Sequence, residues 1–129
     1  MTATDAALRG RDAAESLMLD SCTVQRPGVD VTDPDGVVVT PLVEVYDGKC
    51  KVQASDTQPA SPVAGGHAFT VERLQLHFPA LSSLRTGDVA TITASLLDPS
   101  LVGLTFRLDG AARGSQRTAA RWNVELVTA

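Results

Sequence analysis

Short runs of alternating apolar and polar residues most restrict what this chain can fold into. Cys50, Val52 and Ala54 alternate with Lys49, Lys51 and Gln53, the period of two that a half-buried β-strand requires. The same period recurs at Cys22 and Val24, at Leu104, Phe106 and Leu108, and at Trp122, Val124 and Leu126. Residues 89–95 are rich in β-branched side chains. Turn signals separate most runs: Pro27-Gly28, Asp35-Gly36, Asp47-Gly48, Thr86-Gly87-Asp88, Asp98-Pro99, and the Asp109–Ser115 stretch, which reads as a flexible loop. Neither a βαβ alternation nor an internal repeat is present. The pattern predicts a mainly β fold, a small antiparallel barrel or sandwich of six to seven strands, within a single domain over residues 1–129.

Residues 46–78 carry the two most informative irregularities. Between the strand ending at Ala54 and the strand from Phe69 lies a stretch with no packing period and two prolines. It reads as a long projecting loop over residues 55–68, and such loops in small domains are commonly functional or disordered. The strand that follows changes phase: Phe69 and Val71 are odd-numbered, whereas Leu74, Leu76 and Phe78 are even-numbered. One face cannot bury both sets without a bulge or bend, expected near Glu72-Arg73. Leu74, Leu76 and Phe78 are expected in the core, and Phe69 and Val71 at the loop base or a subunit contact.

The N-terminal residues 2–20 read as a helix opened by a capping box, Thr2 with Asp5, in which Asp replaces the usual Glu or Gln. Its apolar stripe of Leu8, Leu17 and Met18 is thin and alanine-padded, and Gly10 in its middle costs about 1 kcal/mol relative to Ala. Such a helix must pack on something, either its own domain or a neighbouring subunit.

Several chemistries find no support in the residues. A net charge of −4 argues against coating nucleic acid by bulk attraction. No run approaches the roughly 18 apolar residues of a membrane helix, and Met1–Asp5 lacks the basic and apolar regions of a secretory signal, so a cytosolic origin without a membrane partner is expected. In that compartment Cys22 and Cys50 are expected as buried free thiols. The acidic Asp30–Gly36 stretch has Val31 and Leu42 where a calcium loop needs ligands, so it reads as a turn. No zinc spacing, P-loop or nucleophile motif occurs, and His67 and His77 read as surface or structural residues. Neither a catalytic residue, a metal nor a cofactor is expected. Arg107, Arg113, Arg117 and Arg121 crowd the last two strands, either as solubilising charge or as a basic surface for an acidic partner or passing nucleic acid.

The succession of pieces carries a resemblance. An extended Cys22–Arg26 segment is followed by an Asp-Gly hairpin, by Val-Tyr-Asp-Gly-Lys-Cys-Lys-Val-Gln at 45–53, by a long loop, and by a strand ending Leu-His-Phe-Pro at 76–79. Then come Thr-Gly-Asp, Val-Ala-Thr-Ile at 89–92, and Leu-Val-Gly-Leu-Thr-Phe-Arg-Leu at 101–108. Over residues 20–128 this order resembles the head-completion, or head-closure, proteins of tailed siphophages, the head–tail connector stoppers. The N-terminal helix departs from the shortest members of that family. An arginine-rich, lysine-poor composition suits a high-GC genome, as in phages of actinobacteria.

The resemblance implies a small β-barrel that assembles as a homo-oligomeric ring in the virion neck, six subunits being favoured over twelve, after synthesis in the host cytoplasm. It implies a portal or adaptor ring above, a tail terminator or tail tube below, and packaged double-stranded DNA met without sequence specificity. The loop after the Lys-Val-Gln strand would project into the channel, placing Asp56, Thr57, Gln58, Pro59, Ser61, Pro62, Gly65, Gly66 and His67 there. With Asp56 as its one charged residue, such a loop would plug by bulk and not by attracting phosphate. Leu17, Met18, Arg113 and Arg117 are candidate partner contacts. A head–tail adaptor or tail-terminator ring is the nearest rival; a small β-barrel enzyme or ligand-binding module is the rival from another class.

Overall fold

The fold is described from a computed structural model covering residues 2–59 and 70–127; the side chains of 55–59 and 70–72 lie outside the description. The elements in chain order are helix α1 (Ala3–Ser16) and strands β1 (Asp20–Pro27), β2 (Val31–Thr32), β3 (Val38–Val39), β4 (Leu42–Pro59), β5 (Thr70–Pro79) and β6 (Val89–Ser95). A 3₁₀ turn (Pro99–Leu101), β7 (Thr105–Ala111) and β8 (Ala119–Val127) complete the chain. Six strands close into an antiparallel barrel in the order β1-β4-β5-β8-β7-β6, and β2 and β3 form a separate two-stranded ribbon. The mainly β architecture follows the alternation read from the sequence.

Alternation also fills the barrel. Its interior holds Cys22 and Val24 of β1, Cys50 of β4, Leu76 and Phe78 of β5, Ala90 and Ile92 of β6, Phe106 and Leu108 of β7, and Ala120 and Trp122 of β8. Leu74, Val52 and Val124 pack at its margin. Cys22 and Cys50 are buried free thiols, as expected. A hydrogen bond with Cys22, reinforced by burial, pushes the Cys50 thiol up and keeps it protonated.

Closure depends on β1 meeting β6, from Asp20↔Ser95 to Gln25↔Val89. Each end of that seam is held by a carboxylate. Ser95 donates to Asp20 Oδ1 at 2.6 Å, and the Val52 amide donates to Asp20 Oδ2 at 3.3 Å. At the far end Arg26 makes a two-pronged pair with the buried Asp88: Nε donates to Oδ1 at 2.9 Å and Nη2 to Oδ2 at 3.0 Å. The Arg85 amide donates to Asp88 Oδ2 at 2.8 Å, so the carboxylate also folds the connector that leads into β6. Gly87, at φ +93, makes the turn that only glycine adopts without strain.

Four sequence expectations need correction. Asp47-Gly48 is not a turn but the middle of β4, paired with Thr23 and Cys22 of β1. Gly48 serves contact instead: a Cβ there would lie 3.0 Å from the Tyr46 hydroxyl, which donates to the Lys49 carbonyl at 2.5 Å while the ring meets Phe78 edge-on. β7 runs on to Ala111, so Asp109, Gly110 and Ala111 belong to a strand and not to the following loop. The strand before the long loop also runs on, to Pro59. Finally, α1 stops at Ser16 and does not reach residue 20, because Asp20 must be extended to pair with both Cys50 and Ser95.

The capping box is present, with the Asp5 amide donating to Thr2 Oγ1 at 3.1 Å and the Thr2 amide to Asp5 Oδ2 at 3.2 Å. No residue of α1 is fully buried, and the helix lies on the outside of its own barrel, against β5 and β8. Glu15 pairs with Lys49 at 3.3 Å, and Arg11 Nε donates to the Arg117 carbonyl at 3.3 Å. Gly10 sets how closely it docks, since a Cβ at that position would sit 2.6 Å from Thr118 Cγ2. Thr118 is short and stiff and cannot swing away cheaply. Gly10→Ala is therefore expected to lower stability despite the better helix propensity. In a Thr118→Ser background the same change should stabilise by about 0.5–1 kcal/mol. Urea unfolding of the four proteins checks this; a gain from Gly10→Ala alone would remove the close-docking account.

Candidate interaction surfaces

β4 is 18 residues long, about 60 Å of strand, and spans more than the barrel wall. Its first half pairs with β1, from Pro27↔Leu42 to Asp20↔Cys50. Its second half pairs with β5, from Lys51↔His77 to Pro59↔Thr70. β5 meets β8 only from Leu74↔Val124 to Pro79↔Ala119. Beyond Leu74, therefore, β4 and β5 continue as a two-stranded arm. A register shift falls between Ser55 and Gln58, opposite 71–73. The bulge expected in β5 near Glu72-Arg73 needs correction: the irregularity lies at that level of the ladder, but the extra residue is on β4. Leu76 and Phe78 are fully buried and Leu74 is half-buried against the core; Phe69 and the side chain of Val71 lie outside the description.

This arm takes in part of the expected channel loop. Asp56, Thr57, Gln58 and Pro59 were expected in a loop but lie on β4, because backbone pairing with β5 persists where no apolar alternation marks it. Ser61, Pro62, Gly65, Gly66 and His67 lie outside the described residues.

A second arm leaves the other end of β4. Past Pro27↔Leu42 the Gly28 amide donates to the Pro41 carbonyl at 2.8 Å, and β2 and β3 pair Val31 with Val39 and Thr32 with Val38. Asp33 Oδ1 accepts from the amides of Asp35 and Val37, both at 2.9 Å, which makes the acidic stretch a turn as expected. Every residue from 27 to 44 except the half-buried Asp33 is open to solvent, including Val31, Val37, Val38, Val39, Leu42 and Val43. The sequence held a sign of this that strand reading passed over. Three consecutive valines at 37–39 offer no polar face, so the ribbon has no committed inside.

The proposed partner-contact residues divide. Leu17, the helix cap, is 60% exposed, whereas Met18 is buried and unavailable to a partner, because the chain turns inward once the helix ends. Arg113 is exposed. Arg117 is spent internally: Nη2 donates to the Ala80 carbonyl at 2.9 Å, and its own carbonyl holds Arg11. Arg107 pairs with Asp109 and Glu125, and Arg121 Nη2 donates to Thr118 Oγ1 at 3.1 Å. Two of the four arginines, Arg117 and Arg121, thus belong to the wall that carries α1.

His77 sits on the outer face of β5 beneath the end of that helix. Ala14, Leu17 and Met18 line one side of a groove of about 180 Å³, and Lys51, Gln53, His77 and Arg121 line the other. Burial, then the charges of Arg121 and Lys51, push His77 down to about 4 from its ordinary value of 6.5. The structural role expected for it follows from this cover. Among the described residues no group of three or more His, Cys, Asp or Glu could hold a metal ion, and no helix is long and apolar enough to cross a membrane.

Comparison with known proteins adds one match: the model of a family of unknown function, DUF6093, matches residues 10–125. No curated protein and no solved structure matches the chain.

The His77 environment carries a pH prediction. A histidine kept neutral by the fold binds its proton more readily when unfolded, so stability is full above pH 6.5 and declines as pH falls from 6.5 toward about 4. Chemical denaturation across that window should show this component in the wild type and its loss in His77→Gln. Identical slopes in the two proteins would contradict it.

Proposed function

The chain belongs to DUF6093, a family of unknown function, and for it we propose a structural, non-enzymatic role in the neck of a tailed phage. The subunit forms a ring between the portal or adaptor and the tail, helps close the DNA channel after packaging, and offers the surface on which the tail docks. The observation that carries this reading is the β4–β5 arm, whose backbone pairing runs past the barrel to Pro59↔Thr70. A closed barrel is a stiff base, since every barrel strand is paired on both sides. A ribbon rooted in it can hold a loop away from the wall at a set height, which a channel plug requires.

Other features support the same role. The order of sequence pieces resembles the head-completion proteins, and the Asp56–Pro59 part of the arm carries a single acid and no base. A surface poor in cations lets DNA slide, because each phosphate neutralised adds to binding. The buried ionisable groups have structural work: Asp20 and Asp88 hold the seam, and His77 lies under the helix. Exposed apolar side chains on the β2–β3 ribbon suit a subunit that buries surface against others. Rings arise when such contacts are heterologous and the rotation closes.

The test shortens the arm without touching the barrel. Ser55 and Arg73 face each other in the ladder, so residues 56–72 can be replaced by an Asn-Gly turn. In a phage carrying this change, neck rings are expected to form while filled heads lose DNA. Heads that stay full would overturn the plug role. Genes for a portal upstream and a tail downstream support the neck placement, and a metabolic operon would overturn it.

A further inference from the structure

The β2–β3 ribbon and the groove beneath α1 are complementary in charge and in apolar character, and they lie on one chain. From Pro27 to Gly48 the sequence holds Asp30, Asp33, Asp35, Glu44 and Asp47 and no lysine or arginine. The ribbon formed by this stretch exposes Val31 at 57% and Val38 at 62%, on opposite faces. Asp33 is spent on its turn and Asp30 accepts from Thr40, while the Asp35 carboxylate makes no hydrogen bond or ion pair among the described residues. A two-stranded ribbon of this kind is marginal in water unless something packs on it.

The groove offers the opposite character. Lys51 and Arg121 have no carboxylate partner among the described residues, and Glu15, the nearby acid of α1, is paired with Lys49. Burial first, and then the charges of Arg121 and Lys51, disfavour the proton on His77, which stands beside them. Leu17 stands exposed on the rim. The volume of about 180 Å³ admits one branched apolar side chain.

A chain cannot fill its own groove. Leu42 and Lys51 lie on the same strand, separated by nine residues of paired β4, about 30 Å, and the ribbon continues away from that end. Folding it back would unzip β1 from β4 and open the barrel.

We propose that the acidic valine ribbon of residues 28–43 docks on a second copy of this chain, in the groove formed by Leu17, Lys51, His77 and Arg121. The contact is heterologous, with ribbon to wall repeated from copy to copy. It deepens the ring reading by naming the joint, and it rests on that reading only in taking the partner to be a second copy. Docking would place the Asp30 and Asp35 carboxylates against Lys51 and Arg121 and cover apolar surface on the ribbon and at Leu17.

A charge exchange tests it. The ribbon variant carries Asp30→Lys and Asp35→Lys, leaving Asp33 to hold the turn; the groove variant carries Lys51→Glu and Arg121→Glu. Sedimentation velocity and native mass spectrometry of the full chain read the assembly state, with circular dichroism as the check on folding. The wild type is expected to self-associate, more weakly at high salt. Each variant alone should associate at least about tenfold more weakly, because reversed charges meet like charges. An equimolar mixture should recover assembly, since each ribbon then finds a complementary groove; recovery would also exclude misfolding. If the wild type assembles and neither variant weakens it, this joint is wrong while the ring stands. If the wild type stays monomeric at the highest concentration reached, the proposal fails, and the ring reading is judged by the neck particles alone.

Discussion

The closure of β1 onto β6 is the contact on which the rest of the structure depends. It joins the first strand of the barrel to one that begins at Val89, so the loop between them must be closed before any of its hydrogen bonds can form. Each apolar pair along it sets a small side chain against a branched one: Cys22 faces Ile92 and Ala90 faces Val24. Direction at the two ends comes from carboxylates. Asp20 ties β1 to Ser95 and to the Val52 amide, and Asp88 ties Arg26 to the connector before β6. Charge-assisted, two-pronged bonds of this kind fix register as well as adding energy, because they are satisfied in one alignment only.

With the seam closed, the outer wall becomes a platform. β4, β5 and β8 are adjacent, and their outward side chains (Lys51, His77 and Arg121 among them) would ordinarily face water. Helix α1 covers part of this wall. Gly10 lets it approach Thr118, Arg11 and Arg117 lash it to the Ala80 turn, and Met18 is drawn in at its end. Cover from a helix with no buried residue of its own is thin, and it leaves a groove where the helix ends. That His77 is held neutral there, beside two cations without a carboxylate partner among the described residues, follows from this partial cover.

The length of β4 links the barrel to whatever it works with. A single strand forms wall in its middle and carries an arm at each end, the valine ribbon beyond Leu42 and the β5-paired arm toward Pro59. Pairing to a closed barrel gives both arms a fixed root. The valine ribbon is thus apolar without being buried.

Period two, turn residues and capping chemistry are local, and they were legible in the sequence: the mainly β class, the inward placing of Cys22, Val24, Cys50, Leu76, Phe78, Phe106, Leu108 and Trp122, the Thr2–Asp5 cap and the Asp33 turn; Ala54 and Leu126 share the same period but lie exposed, where β4 enters its arm and where β8 ends. Where two local signals competed, the structure decided. Asp47-Gly48 has turn chemistry but runs straight, because Tyr46 needs a neighbour without a side chain and β1 supplies ladder partners on both sides of it. Met18 has the look of a helix-stripe residue but is drawn in, because Asp20 must already be extended. The Arg26–Asp88 pair and the Lys51–Arg121 groove join residues far apart in the chain, and no spacing announces them. Sequence periodicity states which face of a strand is apolar; only closure of the sheet states which strands become neighbours, and the contacts that hold and extend this barrel are made between neighbours.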